Sequence, residues 1–405
     1  MILSKSLTII YLTSLLDLFA VGLTVPLISS HLLSVGASRT TVGLAQSTYS
    51  LLQIFWGPVF GSLSDAFGRK FILVLVTSSC SLLYFLLGFC NSVLLFFLVR
   101  IALGSIKHTQ TLCKAVIADI IPKEKQTEVL GFCNGLSSLG FVLGPLIGGY
   151  LFEYTHGFYM VCCLTSLAFL CNCGLVANLP EESDNKKDKE NPTNGAELFQ
   201  AITNMKTIPW KEYWDAFLLR LLYALSASTY FSNQGLYIQE KFSLSQRHVG
   251  FTISFFGTVS LISSLFMGLL TKKFYPKDPD YYKQQLHAYS LMTVSLLGLY
   301  LAPNVYWFCF LLLPFSMVST ALRIISMELL LNRSKKEDNT RGCLVGASNS
   351  VMSFARLLTP ITSGVVADAF GDDATILMSA VPALSATLLT ATLYGRKVTD
   401  KNKDL

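Results

Sequence analysis

Charged residues are scarce in this chain, 14% of 405 residues, where a soluble domain carries roughly a quarter. There is no GxxxxGK[ST] stretch and not even a Gly-Lys dipeptide, which excludes a phosphate-cradling loop of that kind. HExxH, a nucleophile elbow and clustered His/Cys ligands are also missing, so neither a zinc hydrolase nor a serine hydrolase is indicated. No cofactor, no metal and no enzymatic activity are expected. Ten cysteines are present, but eight sit inside apolar runs, and Cys90 and Cys343 lie at their edges. No pair faces another across a polar loop, so they read as small packing residues, not as a disulfide framework.

What is abundant is apolar length. Hydrophobic residues make up 52% of the chain, and stretches such as Phe71–Cys90 and the run from Val305 reach the length of a membrane crossing. Spans are predicted at 6–29, 41–60, 71–90, 93–117, 127–152 and 157–179, then at 215–238, 248–270, 285–303, 305–330, 343–366 and 374–395. The first is too long for a signal-peptide core and has no convincing cleavage site, so it reads as an uncleaved span. The expected architecture is an all-α membrane protein, with a six-helix bundle over 1–179, a charged linker over 180–214 and a second bundle over 215–405. A short surface helix over 196–205 is possible within the linker. The net charge of +6 lies in short clusters between apolar runs, which points to anionic lipid and not to nucleic acid. With the amino terminus inside, twenty-two Lys and Arg fall in cytoplasmic segments and only Arg39, Lys241 and Arg247 fall outside. The positive-inside rule then places both termini in the cytoplasm.

The two sets of spans are copies of each other. Gly43 and Gly61 recur 207 residues later as Gly250 and Gly268, and Asn134, Pro145 and Gly149 recur 215 residues later as Asn349, Pro360 and Gly364. Two constant offsets separated by one short insertion indicate a duplication. Parallel six-helix repeats are a known transporter architecture.

Between the second and third spans stands Gly61-Ser-Leu-Ser-Asp65-Ala-Phe-Gly68-Arg69-Lys70. Its glycines permit a tight turn, and its charges sit at helix ends that they stabilise. The segment resembles the GxLxDxxGRK signature of the major facilitator superfamily. That resemblance implies that Asp65 caps the start of the eleventh span, near Gly342, and that Arg69 pairs with Asp119 to form a gate. The second-repeat copy ending in Lys272 and Lys273 lacks the acid. In the fifth span, Gly140, Gly144, Pro145, Gly148 and Gly149 set small residues four apart, a spacing that brings helix backbones together. This is similar to the antiporter signature GxxxGPxxGG, and with Asp17 to Pro26 and Arg100 to Gly104 it resembles the tetracycline-efflux-like drug–proton antiporter branch. Twelve helices in two repeats are implied, with spans one, four, seven and ten lining a central cavity.

Six cations fall within spans, namely Arg100, Lys107, Lys114, Arg220, Arg323 and Arg356, against the anions Asp17 and Glu328. Each costs roughly 3 kcal/mol at mid-span without a partner or water. Lys114, Arg220 and Glu328 lie near span ends and read as snorkelling residues. Arg100, Lys107 and Lys114 are seven apart, which on a continuous helix places them on one face. Asp17 and Arg100 form the expected proton-coupling pair, with Lys107, His108 and Arg356 as further cavity candidates; a structural Asp17–Lys107 pair is the alternative. Arg356 stands where the first repeat has Phe141, so it breaks the duplicated packing pattern. The function expected is secondary transport of a small organic solute, anionic in preference to cationic, coupled to protons by a chain acting alone. A non-transporting sensor or scaffold on the same fold is the rival.

Overall fold

A chain crossing hydrocarbon has to satisfy its backbone amides within each crossing, and the apolar runs accordingly fold as helices. The computed structural model describes residues 2–180, 209–276, 278, 281–333 and 340–403, and no strand occurs among them. In order, the helices are α1 (Ile2–Ser34), α2 (Arg39–Phe67), α3 (Arg69–Leu87), α4 (Val93–Ile106), α5 (Thr109–Ile120), α6 (Lys123–Phe152) and α7 (Gly157–Ala177). They are followed by α8 (Trp210–Phe242), α9 (Gln246–Phe274), α10 (Tyr282–Leu301), α11 (Val305–Arg333), α12 (Thr340–Phe370) and α13 (Asp372–Lys403). Since α4 and α5 share one crossing, Val93–Ile120, the chain makes twelve spans. Most of the predicted linker, including the surface helix expected over 196–205, lies outside the described residues.

Nine of the described crossings are long and apolar enough to traverse a membrane by length and composition. The remaining three, α2, α8 and α10, carry polar side chains turned inward, such as Ser47 and Ser64, Asp215 and Arg220, and Gln284 and Gln285. Their mean hydropathy understates how apolar their outer faces are.

The fourth predicted span is corrected by the structure. A continuous helix is expected over 93–117; one crossing, Val93–Ile120, is present, but its helical path stops at Ile106 and resumes at Thr109. Lys107 leaves the helical region with ψ 84, and His108 follows at φ −122 and ψ 23. Lys114 therefore does not continue the face of Arg100 and Lys107. It is exposed on α5, whereas those two are buried.

The described residues fall into two compact units. One gathers 2–38, 48–180 and 243–258; the other gathers 39–47, 209–242 and the described part of 259–403. In the first, α1 packs on α6 and α7, and α3 packs on α7. In the second, α8 packs on α12 and α13, and α10 packs on α13. These are corresponding helices of the two repeats, so the duplication is visible in the packing.

The tightest seam of the first unit is α1 against α6. A methyl added at Gly144 would stand 2.5 Å from the carbonyl carbon of Gly22, and methyls at Gly140 and Gly148 would run into the carbonyl oxygens of Leu15 and Leu23. Small residues four apart thus let two backbones touch, and dispersion at that distance holds the seam where no hydrophobic effect operates. Gly149 turns to the backbone of Gln246 in the same unit. This seam fixes the depth and rotation of α1, and with them the position of Asp17.

Candidate functional site

Asp17 has no exposed surface. The break between α4 and α5 lowers Lys107 onto it, with Nζ 3.2 Å from both carboxylate oxygens. Gln110, in the first turn of α5, donates to the same carboxylate at 3.0 Å and to the carbonyl of Ser14 at 3.2 Å. Asp17 is therefore paired with Lys107 and not with Arg100. The reason is the break itself: a continuous helix would carry both cations along one face, whereas the non-helical turn redirects Lys107 alone.

A helix broken in the membrane interior exposes carbonyls that need donors. Gln53 of α2 supplies them, donating Nε2 to the carbonyl of Gly104 at 3.1 Å and to that of Lys107 at 2.8 Å. Gln53 and Gln110 were not singled out by sequence reasoning. The one signal available was an amide side chain inside an otherwise apolar stretch.

Arg100 lies nearly two turns before the break on α4 and is 5% exposed. Its guanidinium stands 4.3 Å from the ring centroid of Tyr49, a cation–π contact. Its Nε has no hydrogen-bond partner, and no carboxylate pairs with it among the described residues. His108 is 3% exposed and stacks on Phe60 at 5.2 Å, and its Nε2 is also without a partner. The buried set Asp17, Lys107 and Arg100 therefore sums to one positive charge, held by fixed dipoles and an aromatic face. Chemically it can take up an anion, or exchange a proton at Asp17 as Lys107 changes partner. Arg356 is exposed on α12, in the other unit.

The second constellation lies at the turn from α2 to α3. Gly68 occupies φ +94, a conformation that L side chains rarely adopt, and this allows α3 to begin at Arg69. The Arg69 guanidinium binds Asp119 at the end of α5 with Nε to Oδ2 at 2.8 Å, and it also contacts Asp65 and the hydroxyl of Ser64. One arginine thus joins three helix ends. Gly61 meets nothing within 4 Å, and Lys70 is half-buried beside Arg69. The side chains at 341–343, where the partner of Asp65 was expected, lie outside the described residues.

Among the described residues no group of His, Cys, Asp and Glu is spaced to hold a metal ion, and nine cysteines are free. Twelve spans in two repeats, with a discontinuous helix carrying paired charges mid-span, define a polytopic secondary transporter. The chain belongs to the Major Facilitator Superfamily, whose family model matches residues 7–336 and again 216–404. It is 23% identical to the class H tetracycline resistance protein of Pasteurella multocida over 412 residues, covering 98% of each chain. It is 26% identical to the quinolone resistance protein NorA of Staphylococcus aureus over 377 residues, covering 90% of each. The crystal structure of the human organic anion transporter MFSD10 superposes with a TM-score of 0.68 at 19% identity, over 96% of this chain and 99% of that one, which shows a shared fold.

Proposed function

We propose that this transporter couples the movement of a small organic anion to that of a proton, with Asp17 as the proton-exchanging group. The observation that carries the reading is the mid-span break that seats Lys107 on Asp17 while Arg100, two turns away, has no carboxylate. A buried cation needs a counter-charge. When Asp17 takes a proton, Lys107 loses its partner, and an incoming anion replaces it. When the anion leaves, the Lys107–Asp17 pair re-forms and the proton is expelled. Proton and anion therefore bind cooperatively, which makes them travel together, and by linkage each raises the affinity for the other equally. His108 relays that proton, a role supported by its unpartnered Nε2 beside Lys107. Gln53 and Gln110 act as positioning residues that hold the break and the carboxylate. The Arg69–Asp65–Asp119 cluster is a latch whose release accompanies the change of access from one side to the other, so that a balanced conformational equilibrium is shifted by a few kcal/mol. Every group the reading needs comes from one chain, and the excess of Lys and Arg in alternate loops supports cytoplasmic termini.

The experiment is uptake into proteoliposomes of a pooled set of radiolabelled carboxylates and organophosphates, with and without an imposed proton gradient. Wild type should concentrate an anion only with the gradient, and Asp17→Asn should lose concentrative uptake while retaining exchange of labelled for unlabelled anion. Gradient-driven accumulation by Asp17→Asn equal to wild type would refute the role of Asp17.

A further inference from the structure

The glycines and prolines that recur between the repeats mark one seam in each unit. In the second unit, a methyl added at Gly43 of α2 would stand 2.0 Å from the carbonyl oxygen of Pro360 on α12, and one at Gly364 would stand 2.5 Å from that of Arg39. In the first unit, a methyl at Gly250 of α9 would stand 2.2 Å from the carbonyl oxygen of Pro145 on α6, and one at Gly149 would stand 2.6 Å from that of Gln246. Backbone is thus laid on backbone at the same place twice. Each time the two helices come from different repeats. The first residues of α2, 39–47, belong to the second unit, and the first residues of α9, within 243–258, belong to the first. Counting crossings from the amino terminus puts both seams on the face opposite the termini.

A helix start leaves backbone N–H groups without partners and favours a carboxylate. Asp368, near the end of α12, supplies one to α2. Its Oδ1 accepts from the Arg39 amide at 3.0 Å, and its Oδ2 accepts from the Thr40 amide at 2.8 Å and the Thr40 hydroxyl at 2.6 Å. Asp368 lies 215 residues after Glu153, which follows the end of α6, and Arg247 of α9 lies 207 residues after Thr40. Glu153 Oε1 accepts from the Arg247 amide at 3.3 Å. Acid and capped amide are both duplicated, at the two offsets that relate the repeats.

What is not duplicated is the ion pair. The Arg39 guanidinium donates Nε to the two oxygens of Asp372, in the first turn of α13, at 2.9 and 3.0 Å, and Nη2 to Oδ2 at 2.7 Å. It also contacts Glu240 of α8. Asp372 is 6% exposed, so the pair is little screened by salt. At the related positions of the first unit stand Gln246, whose amide donates to the Ser30 hydroxyl at 2.7 Å, and Gly157, which has no side chain. One seam is fastened by an acid that accepts three bonds and by a forked ion pair. At the other, Glu153 holds one amide and Ser245.

We propose that the two seams close the face opposite the termini and that the closure is unequal: the Asp368–Arg39–Asp372 clasp sets how readily that face opens, and Glu153 is its weaker counterpart. In alternating access the repeats move against each other, so helices of different repeats that touch backbone to backbone have to part in every cycle. Parting α2 from α12 and α13 strips three bonds from Asp368 and leaves the Asp372 carboxylate without its guanidinium. Parting α9 from α6 strips one amide from Glu153 and breaks no ion pair. The larger loss, and with it the slower event, belongs to the second unit. The clasp acts whichever solute or ion is moved.

The test is thiol labelling of the purified, detergent-solubilised full chain with a charged maleimide, read by mass spectrometry of the peptide that carries each reporter. Ser47→Cys and Ser254→Cys are the reporters. Both serines are buried, are related by the 207-residue offset and lie one turn beyond Gly43 and Gly250 on the same helix faces. Ser379→Cys, fully buried in α13, reports loss of the fold. Ser47→Cys should label slowly and Ser379→Cys not at all. Asp368→Ala should speed labelling of Ser47→Cys about tenfold, the size expected for a lost helix cap. The paired neutralisation Arg39→Gln/Asp372→Asn, which leaves no lone buried charge, should do the same. Glu153→Ala should speed labelling of Ser254→Cys about threefold or less. Unchanged labelling of Ser47→Cys in both second-unit variants, or a Glu153→Ala effect as large as that of Asp368→Ala, would overturn the unequal closure. So would labelling of Ser379→Cys in parallel with Ser47→Cys, because Asp368 would then hold the fold together and not the seam.

Discussion

Removing one partner of the Asp17–Lys107 pair has a magnitude that follows from its geometry. Two unit charges 3.2 Å apart attract by about 5 kcal/mol at an effective dielectric of about 20. Both side chains are buried, so much of that attraction only offsets desolvation, and replacing the pair as a whole should cost little. Breaking it from one side is different, because an uncompensated charge is left inside, at a typical cost of about 3–5 kcal/mol. Lys107→Ala leaves the carboxylate with Gln110 as its donor, and Asp17→Asn leaves the ammonium without an acid. Each single variant should therefore lose about 3–5 kcal/mol of stability, and Asp17→Asn/Lys107→Ala should lose clearly less than their sum, with a coupling energy of about 2 kcal/mol or more. The assay is SDS-induced unfolding of the purified protein in mixed micelles, followed by tryptophan fluorescence, for all four proteins. Singles that add within about 0.5 kcal/mol would mean that the two groups do not interact, and the charge-exchange reasoning would fall with them.

Gln53→Leu should orphan the carbonyls of Gly104 and Lys107 that its side chain now serves, at about 1–3 kcal/mol for each one left unsatisfied; unfolding midpoints measure it, and Gln53→Glu should not restore the loss. Gly144→Val should force α1 from α6, since even a methyl meets Gly22 at 2.5 Å. A loss of about 1–3 kcal/mol or more should appear as poor yield of folded protein by size-exclusion chromatography, whereas Gly61→Ala, which meets nothing within 4 Å, should behave as wild type. Beyond the predicted end of the seventh span, a hydrogen bond to Asp372 pushes Glu240 up to about 7, against the opposing charge of Arg39. An acid whose folded value is raised contributes stability that is full below its ordinary value, near 4.5, and is lost as pH rises through about 7. The melting temperature should fall between pH 5 and pH 8, and Glu240→Gln should flatten that slope; an unchanged slope would remove Glu240 as its source.

The fold could be read from the chain because its strongest signals are local. Apolar runs of crossing length, constant offsets between glycines and prolines, and small residues four apart all act within one helix or one repeat. The break at Lys107 and His108 could not be read in this way. No proline marks it, and the heptad spacing of Arg100, Lys107 and Lys114 fits a continuous helix better than a broken one. What permits the break is Gln53, fifty-four residues earlier, and hydropathy does not report a side chain that serves carbonyls on another helix. The partner of Asp17 was hidden for the same reason, because choosing between Arg100 and Lys107 requires the path of the backbone between them. The contact of Arg69 with Asp119 spans fifty residues and was accessible only through resemblance to the family motif.

In the proposed cycle an anion and a proton move together through this protein. The direct measurement is proton movement into proteoliposomes loaded with a pH-sensitive dye, started by adding the anion that wild type concentrates most strongly. Lumenal acidification should follow solute uptake, be abolished by Asp17→Asn and be absent from protein-free vesicles. Uptake of the same solute with no change in lumenal pH, at the same rate with and without a proton gradient, would contradict it.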